Sequence, residues 1–146
     1  MNGNQLKPMA YALVASCVGA FAPLPVSASM TAAQAISSVA FLTGSWHCTG
    51  GGPPEDDTYT IQKNVWRDAD SLGDVTTGTF DAKRQKWVIF TMNFDGDYSV
   101  NESSPPVNNS MHVTVPYPPG MSSHSFTFTK LSNTEYKLGK QTCLKK

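Results

Sequence analysis

The strongest alternation of apolar and polar positions lies in WVIFTMNF, where Val88, Phe90, Met92 and Phe94 share one face of an extended segment and Trp87, Ile89, Thr91 and Asn93 the other. Large apolar side chains on both faces make it a central strand. TYTIQKNVW reads as a half-buried strand, with Tyr59, Ile61 and Val65 on one face against Thr58, Thr60, Gln62 and Asn64. SFTFTKL alternates Phe126 and Phe128 with Thr127 and Thr129, and SWHCTG, VTTGTF, DYSVNES, MHVTVPY and EYKLGKQTCL complete the series. Between them stand breakers. Pro53 and Pro54 in GGGPPEDD lack amide donors, RDADSLGD and DAKRQK are polar connections, SNTE is a tight turn, and Asp95-Gly96 suits a type I′ hairpin turn. Helical spacing occurs once, in MTAAQAISSVAFLTG. There Thr31 is placed to cap, Ile36, Val39 and Phe41 or Leu42 form one stripe, and Gly44 stops the helix.

About eight short strands in succession, with no internal repeat and no linker, predict an all-β antiparallel meander closed into a barrel or folded as a sandwich. The expected organisation is a segment over 29–42 carrying the short helix, followed by one β-barrel domain over 43–146. Residues 1–28 read instead as a cleaved signal peptide. Lys7 supplies the positive region, MAYALVASCVGAFAPLPV the apolar core, and VSAS the small residues before cleavage after Ala28. Pro23 and Pro25 interrupt that core and argue against a membrane span. VASC, ending at Cys17, resembles the lipobox of bacterial lipoproteins, but the continuation VGAFAPLPV stays apolar where a polar tether is usual, which makes lipidation the weaker alternative. Either route leads to a periplasmic or secreted bacterial protein.

Loss of the leader removes Cys17 and leaves Cys48 and Cys143, which in an oxidising compartment suggest one disulfide, with two buried thiols as the alternative. The pairing raises a question of register. Cys143 shares strand parity with Gln141 and Gly139 rather than with Tyr136, so the bridge lies off the apolar face unless a bulge at Gly139 shifts the strand. Cleavage also leaves the chain with one acid in excess. No basic run or aromatic-plus-Arg platform is present, which disfavours nucleic acid. The cysteine pair with scattered His47, His112 and His124 has no metal-ligand spacing, so no metal is expected.

FLTGSWHC, FDAKRQKWV and the terminal TEYKLGKQTC resemble small exported bacterial proteins of the calycin, or lipocalin-like, barrel type, over most of residues 38–146. Gly44 and Trp46 match the GxW motif that opens the first strand of lipocalins, and the resemblance implies that Trp46 packs at the closed end of the barrel. The chain is more distantly similar to the haem-binding nitrobindins: Gly44, Trp46 and Gly50 match their GxWxGxG, while Cys48 stands where that family has Gly. That second resemblance implies a haem-ligating histidine in the C-terminal half, for which His124 is the candidate.

The expected function is a non-catalytic exported barrel that binds a small hydrophobic ligand, with no cofactor. Strand parity nominates Tyr59, Ile61, Phe90, Met92, Val113, Phe126, Phe128 and Tyr136 as the inward set. A filled barrel acting as a structural or envelope protein-interaction module is the alternative, with the loops NESSPPVNNS and PYPPGMSS as its contacts; a haem-binding barrel is a further one. Catalysis is not expected. Motifs such as GxSxG and HExxH are missing, and the acids fall in turn-like segments such as PEDD, RDAD and DGD.

Overall fold

A computed structural model describes residues 29–119 and 125–146. The leader reading, Cys17 and His124 therefore lie outside the described residues. Helix α1 (Ala32–Val39) and a single 3₁₀ turn (Ala40–Leu42) precede ten strands: β1 (Gly44–Thr49), β2 (Glu55–Gln62), β3 (Val65–Asp70), β4 (Val75–Asp81), β5 (Lys86–Met92), β6 (Tyr98–Ser103), β7 (Ser110–Tyr117), β8 (Ser125–Lys130), β9 (Glu135–Leu138) and β10 (Gln141–Lys145). Each strand pairs antiparallel with its neighbours in sequence, and β10 pairs with β1, closing the barrel. Closure leaves no free sheet edge.

The strand number exceeds the expected eight because two segments read as single strands are hairpins. TYTIQKNVW reverses at Lys63 and Asn64, with Lys63 at φ 55° and Gln62 facing Val65 across the turn. EYKLGKQTCL reverses at Gly139 and Lys140, with Gly139 at φ 57° and Leu138 facing Gln141. A two-residue turn resets parity. Val65 is accordingly exposed rather than on the inner face with Tyr59 and Ile61, and Cys143 comes directly opposite Tyr136. A turn, not a bulge, answers the question of register. Asp95-Gly96 also differs from expectation: Asn93 carbonyl accepts from the Gly96 amide at 2.9 Å, and only Gly96 of the pair has positive φ, so the turn is not type I′.

One end of the barrel is closed by the N-terminal segment. Thr31 and Gln34 form a reciprocal capping box, the Thr31 hydroxyl accepting from the Gln34 amide at 3.2 Å and the Gln34 side chain from the Thr31 amide at 2.9 Å. Such a cap stabilises a short helix by about 1 kcal/mol. Helix α1 buries Ala35, Ile36 and Val39, and Leu42 follows on the 3₁₀ turn. Burial of Ile36, Val39 and Leu42 contributes about 1.5–3 kcal/mol each, which outweighs the cap. Gln85, in the β4–β5 turn, fastens this plug by accepting from the Met30 amide at 2.7 Å and donating to the Met30 carbonyl at 2.9 Å.

Gly44 carries the chain from the plug into β1 at φ +116°, a conformation that side chains on L-residues disfavour. Trp46 follows on the inner face, wholly buried, its indole N–H donating to the Leu42 carbonyl at 2.6 Å. Cys48, two residues on, is bonded to Cys143, directly opposite it on β10.

Candidate functional site

Up-and-down topology gathers the β1–β2, β3–β4, β5–β6, β7–β8 and β9–β10 connections at the end away from the plug. Between that rim and the floor made by Val39 and Leu42 lies a cavity of about 720 Å³. Small-molecule pockets typically span roughly 300–1,000 Å³, so the space suits a ligand and is not filled by side chains.

Four of the nominated residues, Tyr59, Val113, Phe126 and Phe128, line this cavity. Ile61 packs against the core, and Tyr136 is fully buried, with its hydroxyl 3.0 Å from that of Tyr59; neither lines the cavity. Phe90 and Met92 are corrections. They face outward at 43% and 44% exposure, while Trp87, Ile89, Thr91 and Asn93 from the opposite face of β5 line the interior. Both faces of that strand are apolar, so alternation does not choose between them. Neighbours do: Trp87 packs edge-on to Phe80 at 5.5 Å inside, and Phe90 rests at 5.7 Å against the half-exposed ring of Tyr98 at the rim.

The interior also holds residues that sequence reasoning assigned to turns. Asp57 lies on β2, and Asp68 and Asp70 lie on β3; all three line the cavity with Glu55, Asp74 and Asp97. A parity signal for them exists. Asp57 shares a face with Tyr59 and Ile61, and Asp68 and Asp70 share one with Trp66, once the hairpin at Lys63 is recognised. Trp66 lies over Gly78 on β4, where any Cβ would overlap the indole. Only glycine leaves room for that ring.

Most of the acids are held by the protein. Asp70 Oδ1 accepts from the amides of Leu72, Gly73 and Asp74 at 2.8–3.0 Å, and Asp74 Oδ1 accepts from the Phe94 amide at 2.9 Å. Asp57 Oδ2 accepts from the Tyr136 hydroxyl at 3.1 Å, and Glu55 accepts from the Gln141 side chain at 2.6 Å. Asp68 differs: its Oδ1 is buried with no hydrogen-bond partner among the described residues, as are Asn101 Oδ1 and Trp87 Nε1. Native interiors leave few such groups unpaired, and those that remain call for an explanation. Burial, then the charges of Asp57, Asp70 and Glu55, push Asp68 up to about 8. Burial also raises Asp57, to about 6, against the opposing Tyr136 hydrogen bond. Tyr59 and Tyr136 are raised as well, chiefly by burial.

These shifts set the pH dependence of folding. A carboxyl with a folded pKa above its unfolded value binds its proton more tightly in the native state, so stability declines as pH climbs from the unfolded value to the folded one. For Asp57 and Asp68 that window runs from about pH 4 to 8. Asp56 and Glu102, lowered by Lys146 and by Lys86 respectively as first causes, act oppositely, and their contribution is lost as pH falls through the acid range. The free energy of unfolding should therefore be greater at pH 5 than at pH 8, by about 2 kcal/mol once solvent screening in an open cavity is discounted, with the urea midpoint higher accordingly. Asp68→Asn should flatten most of that slope. A midpoint that rises between pH 5 and 8 would contradict the assignment.

Of the histidines, His47 and His112 are exposed and neither lines the cavity. His47 instead meets Asp56 on the outer surface, Nδ1 to Oδ1 at 2.8 Å. No protein-family model, no curated protein and no solved structure matches this chain.

Proposed function

We propose that this protein is a non-catalytic, lipocalin-like container that binds a small ligand with a substantial apolar part inside its barrel. The observation that carries the reading is the cavity of about 720 Å³, floored by Val39 and Leu42 and walled by Trp87, Ile89, Val113, Val115 and Phe128. Its volume weighs against the alternative of a barrel filled by its own side chains. The calycin-like reading rests on the closed antiparallel barrel, the helical plug and the GxW pair Gly44 and Trp46 at the start of β1. Export to a periplasmic or extracellular location fits the Cys48–Cys143 disulfide, because such bonds persist in oxidising compartments. Among the described residues no helix is long and apolar enough to cross a membrane.

A neutral fluorescent apolar probe, N-phenyl-1-naphthylamine, tests the reading directly. Titration should give saturable binding at one site per barrel, with enhanced probe emission and quenching of tryptophan fluorescence through Trp66 and Trp87. Val113→Trp, which fills the wall opposite, should weaken binding at least tenfold while the near-UV spectrum shows a folded barrel. Absence of saturable binding to the wild-type protein would sink the container reading.

A further inference from the structure

The polar wall of the cavity carries one sign of charge. Glu55, Asp57, Asp68, Asp70, Asp74 and Asp97 line it, and among the described residues no Lys, Arg or His does so. Described ion pairs lie elsewhere, Arg84 and Lys86 with Glu102 and Lys146 with Asp56. The acids are also close together: one ligand atom from each of Glu55, Asp57 and Asp70 lies within 4.8 Å of the others. Burial first, and the mutual repulsion of carboxylates gathered without a cation second, raise Asp68 and Asp57 above the usual carboxylate range, and a cation placed among them would relieve both.

A second, independent observation indicates what the wall is built to meet. Asn101 is 5% exposed and lines the cavity, and its Oδ1 has no partner while its Nδ2 donates to Thr91 Oγ1 at 3.3 Å. Thr91 Oγ1 is in turn 3.2 Å from Thr76 Oγ1. The unpaired oxygens, Asn101 Oδ1 and Asp68 Oδ1, are both acceptors when Asp68 is ionised. The complement of an acceptor set is a group rich in donors. An ammonium has only donors and carries the opposite charge to the wall, whereas a carboxylate or phosphate would add acceptors and repulsion.

Aromatic rings flank Asp68. Tyr59 pairs directly across the strands with Asp68, Trp66 stands two residues before Asp68 on the same face, and the two rings are 6.0 Å apart. Ring faces attract cations, most strongly those of Trp and Tyr where water is excluded. The remaining unpaired group, Trp87 Nε1, lies deeper, beside Phe80, where the body of a ligand rather than its charged end would reach it.

We propose that the barrel takes a cationic amphiphile, an amine whose ammonium group is received by Asp68 and Asp57 beside the Tyr59 and Trp66 rings, with its apolar body directed toward the Val39 and Leu42 floor. The proposal rests on the container reading and specifies its ligand. Decylamine, decanol and decanoate share one chain and differ in the charge of the head, which makes them the probes. Calorimetry at pH 7.5 on the full mature chain should give decylamine at least tenfold tighter binding than decanol and decanoate. Asp68→Asn should remove that preference while leaving decanol affinity within about twofold. Asp56→Asn, which deletes an acid on the outer surface, should leave the preference intact. Because Asp68→Asn relieves repulsion, it should fold at least as stably as the wild type. Equal affinity for decylamine and decanol would overturn the amine proposal and leave the container reading standing. So would a preference that survives Asp68→Asn. Failure of all three probes and of the neutral naphthyl probe would remove both readings together.

Discussion

Replacing both Cys48 and Cys143 with alanine should lower the stability of the barrel by about 4.5 kcal/mol, the figure that the chain-entropy account gives for a loop of this size. The bond joins residues separated by 95 positions, so it encloses most of the folded domain. Its place in the sheet adds to the effect. Cys48 and Cys143 sit opposite each other where β1 meets β10, the one seam at which strands distant in sequence must find each other. Every other seam joins sequence neighbours and has a low loop-closure cost. For a domain of roughly 100 residues the loss corresponds to a fall in Tm of about 20 °C. Thermal unfolding of the alanine pair, compared with oxidised wild-type protein, measures it. Both cysteines are wholly buried in the core, so reduced wild-type protein, which keeps the sulfurs, should melt between the two and separate the bond from the packing. A fall of less than about 5 °C would mean that strand pairing alone holds the seam.

The second large effect is expected at Trp46. Its indole is wholly buried, 4.9 Å from the Tyr136 ring and 6.3 Å from that of Phe41, both edge-on. Trp46→Ala would remove that contact surface and leave the Leu42 carbonyl without its donor. Truncation of a buried Trp costs about 3–5 kcal/mol, and an orphaned acceptor adds about 1–3 kcal/mol. Since small domains are stable by only about 5–15 kcal/mol, the alanine variant is expected to be close to unfolded at 37 °C. Trp46→Phe keeps most of the ring packing and loses only the donor and part of the volume. It should fold with less than half of that loss, so urea midpoints for the pair separate packing from the hydrogen bond. Equal losses in the two variants would show that the hydrogen bond dominates.

Both effects concern residues whose roles are written in short stretches of the chain. Thr31 and Gln34 stand three apart before an apolar stripe, and they form the capping box that begins α1. Two cysteines near the ends of a strand-rich domain are bonded across its seam. The alternations around Tyr59, Phe90 and Phe128 all lie on strands. Local patterns of this kind are legible because they depend on contacts within a few residues or on a single covalent constraint.

The wall of acids was hidden by a different circumstance. RDAD looks like a turn because Asp is common in turns and rare in strand interiors. In the barrel, Asp68 and Asp70 alternate with Arg67 and Ala69, which face outward, and pairing with β2 and β4 satisfies the backbone regardless of side-chain type. Lys63 is likewise no obvious turn residue, yet it reverses the chain at positive φ. With that turn missed, Val65 takes the face that belongs to Trp66, and the parity of the acids after it cannot be read.

Alternation, capping, breakers and cysteine count were thus sufficient for an all-β meander with one short helix and a disulfide. Each of those features is settled by neighbours in the chain, or by chemistry that does not depend on the fold. Which face of β5 turns inward, and that Asp57, Asp68 and Asp70 look into a cavity, came only from the closed barrel. A strand with two apolar faces, or one with acids at alternate positions, can face either way in isolation. The choice is made by the side chains that neighbouring strands and the helical plug place around it, and those contacts exist only once the barrel is shut.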